Sequence, residues 1–258
     1  MKVQPEIVVR PENDWANAAA EILRQACDKA VTRYGRMSLV LSGGSTPRRF
    51  YHALTEAPWK DRYPWRQIAF LFGDERCVPP DHADSNYAMA NAALFRPLSI
   101  GSEQIHRMKG EHPDLRAAAR EYEQTIRSLT NCPAPAIPQL DLILLGLGED
   151  GHTASLFPGT DALRDRTDLV TIGHAPKNIR LRLTLTLGVI NQASMIVFLV
   201  TGSAKARIAR EVLEPRTDAE RELPAASVKP VQGRLLWLLD ESAAAELTIP
   251  DPQRKNVP

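Results

Sequence analysis

Cysteine is scarce in this chain: Cys27, Cys77 and Cys132 are odd in number, far apart and show no C-x-x-C spacing. That pattern excludes a disulfide framework and gives no zinc signature, leaving free thiols. Excess charge of one sign is also lacking, with 32 Lys plus Arg against 31 Asp plus Glu and no long single-sign block. No global field argues for nucleic acid, and a charged ligand must be handled locally. No uninterrupted apolar run reaches the bilayer-spanning length of about 18 residues. The opening "MKVQPEIVVRPEND" has no apolar core of signal-peptide length, so a soluble, cytoplasmic protein without a membrane partner is expected. Internal repeats and low-complexity tracts are missing too, and the closing "DPQRKNVP" reads as a loose tail.

What is present is a core. At 258 residues and 43% hydrophobic content, the chain can form one α/β domain spanning 1–258. "EIVVR" reads as a strand, and helical spacing of Ala16, Ala19, Ala20, Leu23, Cys27 and Ala30 predicts a helix over 14–34. "MSLVLS", "QIAFLFG", "LDLILLG", "SMIVFLVTG" and "LLWLLD" are apolar enough for strands buried on both faces, as in a parallel sheet. "RLRLTLT" alternates with period 2, as a strand or a strand running into a turn. Helices are expected with Thr46 as N-cap and Pro47 in the first turn, from Ser85 or Asn86 through "YAMANAALF", in "DLRAAAREYEQTIRSL", in "SAKARIAREVL" and in "ESAAAEL". The fold class is α/β, a Rossmann-like wound sheet, mostly parallel, with helices on both faces.

Ligands of such sheets sit beyond the carboxyl ends of the strands. Four predicted strand ends run into polar loops: "SGGSTP", "GDER", "GLGEDGH" and "TGSAK". Gly43 and Gly44 allow close backbone approach, Ser45 and Thr46 offer hydroxyls, and the following helix offers unpaired N–H groups, a combination suited to phosphate. It is not a Walker A loop, since the Gly-Lys spacing is absent. Lys205 falls in the first turn of a helix, where the macrodipole disfavours a cation unless an anion is near. Arg76 can clamp phosphate oxygens, while Asp74 can orient an imidazole or a sugar hydroxyl. "DHAD" at 81–84 has no partner cluster, so no metal is expected there.

Gly146, Gly148 and Gly151 match the dinucleotide pattern G-x-G-x-x-G. A true fingerprint needs the third glycine in a helix of several turns, yet Pro158 and Gly159 stop any helix within about two turns. "DALRDRTD" resembles a loop rather than the end of a second strand. What remains is Glu149, Asp150 and His152, the last being the best general base in the chain, because its reference pKa lies near neutrality. His52, His82, His106, His112 and His174 have no comparable setting.

Together, "LSGGSTP", "FGDERCVPPDHADSNYAMA", "LGLGEDGHTASLFPGT", "RLTLTLGVIN" and "VTGSAKA" resemble the 6-phosphogluconolactonase family, in order from Leu41 to Ala206. The resemblance implies hydrolysis of a small-molecule sugar-phosphate lactone, 6-phospho-D-glucono-1,5-lactone, in the oxidative pentose phosphate pathway. It implies no nucleotide cofactor and no essential metal. The family's catalytic histidine falls on His152, and its phosphate contacts on Gly43, Gly44, Ser45, Thr46, Arg76 and Lys205. Asp74 matches the acidic position beside the site, and Arg182 matches a family arginine, here a candidate substrate contact. Asp74 and Asp150 both stand as candidates to orient the histidine.

Three rivals are weaker. Glucosamine-6-phosphate deaminases resemble the chain in "GGSTP" and "DGH" but carry a tyrosine where Arg76 stands and a glutamate where Phe157 stands. A phenyl ring cannot relay the protons that amine loss needs. A non-catalytic sugar-phosphate sensor would not need His152, and a nicotinamide oxidoreductase rests on the discounted glycine match alone.

Overall fold

The computed structural model describes residues 3–248; the expected tail "DPQRKNVP" lies outside the described residues. In chain order the elements are β1 (Glu6–Arg10), α1 (Glu12–Tyr34), β2 (Met37–Leu41), α2 (Ser45–Leu54), β3 (Ile68–Phe72), β4 (Asp74–Arg76), α3 (Asn86–Ala90), α4 (Leu115–Thr130), β5 (Leu142–Leu145), α5 (Asp161–Arg164), β6 (Val170–His174), β7 (Leu181–Leu185), α6 (Leu187–Gln192), β8 (Met195–Val200), α7 (Ala206–Leu213), α8 (Asp218–Arg221) and β9 (Arg234–Asp240). Six strands form one sheet in the order β1-β9-β8-β5-β2-β3. Every pairing within it is parallel.

Parallel pairing requires crossovers, and these place a helical layer on each face. Successive side chains of a strand alternate between faces, so Leu142 and Leu144 join Trp15, Leu23 and Phe50 on one side. Ile143 and Leu145 join Tyr122, Ile126 and Ile208 on the other. Register partners Phe198 and Trp237 stack with ring centroids 3.9 Å apart, fixing β8 against β9. The expected wound α/β sheet with helices on both faces is the observed one. Among the described residues, no helix is long and apolar enough to cross a membrane.

Several local expectations are corrected. α2 begins two residues early, at Ser45, because Gly44 takes the N-cap position at φ 105, a conformation that favours glycine. Thr46 makes no cap; its hydroxyl pairs with that of Thr201 at 2.7 Å. The helix expected through "YAMANAALF" is α3, capped by the Ser85 hydroxyl, followed by a π-turn over Asn91–Phe95. "ESAAAEL" forms turns, not a helix: Ala243 and Ala244 are drawn into the core immediately after β9. Finally, "RLRLTLT" supplies β7, which belongs to a second, antiparallel sheet ordered β4-β7-β6. β4 and β6 are absent from the hydrophobic pattern: β4 is only "DER", and β6 follows the loop-like "DALRDRTD", whose start is the single turn α5.

Candidate active site

A cleft of about 720 Å³ opens beyond the carboxyl ends of β2, β5 and β8, walled on one side by the small antiparallel sheet. Gly43, Gly44, Asp74, Arg76, His152, Arg182 and Lys205 all line it. Ser45 and Thr46 do not; Ser45 is exposed at the first residue of α2, and Thr46 faces Thr201. Their backbone N–H groups nevertheless belong to the unpaired first turn of that helix.

The histidine loop is built around its glycines. A Cβ on Gly148 would lie 2.0 Å from His152 Nδ1 and 2.7 Å from an Asp150 carboxylate oxygen, so only glycine leaves room for the imidazole. The Gly148 N–H donates to the His152 carbonyl at 2.8 Å, closing the loop on itself. Gly151 sits at φ 78 and packs against Leu223. The Thr153 hydroxyl donates to the Gly146 carbonyl at 2.9 Å, pinning the loop back to its strand end. These glycines therefore shape a turn for a side chain and open no helix onto a pyrophosphate.

His152 Nδ1 lies 2.5 Å from Asp150 Oδ1. That hydrogen bond, the largest influence on Asp150, holds its carboxyl below the usual carboxylate range. With Nδ1–H directed at a carboxylate, Nε2 is left as the acceptor nitrogen. The Phe157 ring, buried beside the cleft, sits 4.3 Å from the imidazole centroid. Asp150 is thus the carboxylate that meets the histidine. Asp74 is engaged elsewhere: it accepts from the Ser155 hydroxyl at 2.7 Å and from the Asn86 amide at 3.2 Å. The Asn86 amide also packs where a Cβ on Gly43 would be, 2.0 Å from its Oδ1, so Gly43, Asn86 and Asp74 form one locked corner.

β4 divides its side chains between two tasks. Glu75 is buried, and burial pushes its carboxyl up, while N–H groups of Asn86, Tyr87 and Arg76 and the Ser85 hydroxyl act against that shift. Its work is to anchor the start of α3. Asp74 and Arg76 face the cleft instead. Arg76 is the register partner of Arg182 across the antiparallel pair, which sets two guanidiniums side by side. Arg76 donates to the Asp84 carbonyl, and its buried Nε has no partner among the described residues. Arg182 donates to the Ile179 carbonyl at 2.8 Å. Burial, and then the charge of Arg76, push Arg182 below the ordinary guanidinium value. Two crowded cations served by backbone carbonyls have the chemistry to receive an anion with several oxygens.

Asn86, Ser155, Phe157 and Lys177 also line the cleft. Asn86 and Ser155 were missed as site residues, because their role is to bind Asp74 across long sequence separations. Lys177 was missed because its loop joins β6 to β7, and β6 was not foreseen. Among the described residues, no three His, Cys, Asp or Glu side chains converge as metal ligands.

Comparison with known proteins gives a consistent picture. A family model described as glucosamine-6-phosphate isomerases/6-phosphogluconolactonase matches residues 10–237. The chain is 39% identical over 229 residues to a 6-phosphogluconolactonase of Nostoc sp., covering 89% of this chain and 92% of the relative. It is 39% identical over 232 residues to a 6-phosphogluconolactonase of Homo sapiens, covering 88% and 86% of the two chains. The crystal structure of 6-phosphogluconolactonase from Leishmania guyanensis superposes with a TM-score of 0.79 at 30% identity, over 93% of this chain and 97% of that one.

Proposed function

The chain belongs to the glucosamine-6-phosphate isomerase/6-phosphogluconolactonase family, and we propose that it hydrolyses 6-phospho-D-glucono-1,5-lactone to 6-phospho-D-gluconate with His152 as general base. The observation that carries this reading is the imidazole held by Asp150 at 2.5 Å in the same cleft as the crowded pair Arg76 and Arg182. The imidazole can take and return a proton, and the guanidinium pair can accept a phosphate dianion.

In this mechanism the phosphate is held by Arg76, Arg182 and Lys205, with the Gly43–Gly44 backbone and the first-turn N–H groups of Ser45 and Thr46 beside them. His152 Nε2 removes a proton from water as its oxygen attacks the lactone carbonyl carbon. The carbonyl π electrons move to oxygen, giving a tetrahedral oxyanion that nearby cations stabilise. The C–O bond to the ring oxygen then breaks, and the imidazolium returns its proton to that oxygen as the carboxyl group forms. Asp150 stabilises the imidazolium between those two transfers, while Asp74, fixed by Ser155 and Asn86, is placed to orient substrate hydroxyls. No covalent enzyme intermediate is needed. Phe157 occupies the place beside the imidazole where a deaminase would need a carboxylate, which disfavours that alternative.

The test is a coupled assay in which glucose 6-phosphate dehydrogenase generates the lactone and acid release is followed above the spontaneous rate. His152→Ala should reduce the enzymatic rate by about 10²- to 10⁴-fold. Near-normal hydrolysis by that variant at pH 7 would remove His152 as the base, and no acceleration by the unaltered protein would remove the lactonase reading.

A further inference from the structure

The motif loops leave one buried carboxylate unexplained. Asp240, the last residue of β9, is 2% exposed. It lies one position beyond the register pair Val200 and Leu239, which brings its side chain to the loop that follows β8. Both of its oxygens accept from the Gly202 backbone N–H, at 3.1 and 2.9 Å, and one also accepts from the Ala243 N–H at 2.7 Å. The turn after β9 uses a single oxygen, whereas the second is aimed at Gly202 alone.

Gly202 opens the segment that presents Lys205. It adopts φ 93 with open space around it, so glycine is required by its backbone and not by a neighbour. Its carbonyl accepts from the Lys205 N–H at 3.0 Å, closing the turn over Ser203–Lys205. The residue before it, Thr201, pairs with Thr46 at the start of α2. A carboxylate gripping Gly202 therefore fixes the turn that aims Lys205 and, through Thr201, its distance from the Gly43–Gly44 loop.

We propose that Asp240 is a positioning residue for phosphate recognition, holding the Gly202–Lys205 turn so that Lys205 addresses the anion already faced by Arg76 and Arg182. This rests on the reading that the cleft takes a phosphorylated substrate. Among the described residues, the Asp240 carboxylate hydrogen-bonds only Gly202 and Ala243, not the histidine loop or the small sheet, so it acts on binding and leaves the proton transfer alone. An amide at this position turns one acceptor into a donor, which opposes the Gly202 N–H; a charge-assisted hydrogen bond to backbone is lost.

Asp240→Asn, Lys205→Met and the double variant test this, using the lactone assay together with calorimetric titration of inorganic phosphate. Expected for Asp240→Asn are a KM raised about tenfold, phosphate affinity weakened by a similar factor, and kcat within about twofold of the unaltered protein. In the Lys205→Met background the Asp240 change should add little, because both act through one side chain. Full additivity in the double variant, or a fall in kcat with KM unchanged, would overturn the proposal. Should Asp240→Asn not fold, Gly202→Ala perturbs the same link from the loop side, and unaltered phosphate affinity there would refute it. A protein that binds phosphate with this signature but hydrolyses no lactone would sink the lactonase reading and leave this inference standing.

Discussion

Gly148→Ala separates catalysis from folding more sharply than removal of the histidine itself. The added methyl would lie 2.0 Å from His152 Nδ1 and 2.2 Å from Cε1, whereas ordinary contact begins at 3.4 Å, so the imidazole must retreat by about 1.4 Å. Its hydrogen bond to Asp150 at 2.5 Å and its contact with Phe157 at 4.3 Å cannot both survive that shift. A displacement of about 1 Å in a reacting group is worth on the order of 10²-fold in rate, so kcat should fall by about that factor. KM should hold, because Arg76, Arg182 and Lys205 are untouched. Stability should change by less than about 1 kcal/mol: the backbone at Gly148 is outside the left-handed region, alanine lowers the entropy of the unfolded chain, and the side chain forced aside is on a partly exposed loop. The measurement is kcat and KM in the coupled lactone assay, with thermal unfolding in parallel. A variant with kcat within threefold of the unaltered enzyme would refute the claim that this imidazole, in this place, is the base.

Asp150→Asn should lower kcat by about 10- to 100-fold, since an amide can neither fix the Nδ1–H tautomer as firmly nor stabilise the imidazolium; equal activity would show that Asp150 only shapes the loop. The same variant has a pH signature. Asp150 titrates below its unfolded value, so its contribution to stability is complete above about pH 4 and is lost as pH falls through the lower folded value. Melting temperatures of the variant and the unaltered protein should differ at pH 7 and converge in acid; a constant gap across that range would contradict the assigned shift. Arg182→Met removes a buried cation crowded by Arg76, so it should raise the melting temperature without ligand and abolish most of the rise given by inorganic phosphate. For the unaltered protein that rise corresponds to about 2.7 kcal/mol at 100 times the dissociation constant, and an undiminished rise in Arg182→Met would remove this arginine from the phosphate site.

The large sheet was legible because burial on both faces leaves continuous apolar runs, as in "MSLVL", "LILL" and "MIVFLV". The small sheet was not, because β4 is three charged or polar residues whose strand character comes only from pairing with β7. That His152, Arg76, Lys205 and the glycines meet at one cleft was readable from loop chemistry at strand ends. The choice between Asp74 and Asp150 was not, since it depends on side-chain reach: Asp150 is two residues from its histidine, while Asp74 is claimed by Ser155, 81 positions away. Thr46 was misread for a related reason. A threonine before a proline at a helix start is a good cap in isolation, but Gly44 had already taken the turn, which released the hydroxyl for Thr201.

The two sheets together explain why the cleft can combine an imidazole with dense positive charge. Had Arg76, Arg182 and His152 come from one loop, repulsion and hydration would compete with close placement. Here β5 delivers the histidine on a glycine-built turn, whereas the antiparallel pair β4 and β7 delivers the guanidiniums by backbone register. Register fixes Arg76 against Arg182 whether or not an anion is present, so the cost of crowding them is met by folding and, in the proposed mechanism, is relieved by the substrate's phosphate. A carboxylate added to this wall would relieve the crowding permanently and weaken the site. Thr184→Glu, next to Arg182's neighbour Leu183 and in register with Asp74, would not serve as a test because its position is fully buried. Asn178→Asp, in the exposed loop between β6 and β7 that lines the cleft, adds the charge on the wall beside the guanidiniums. It should weaken inorganic phosphate binding by about tenfold, and phosphate affinity that is unchanged at low salt would mean that the anion is held elsewhere.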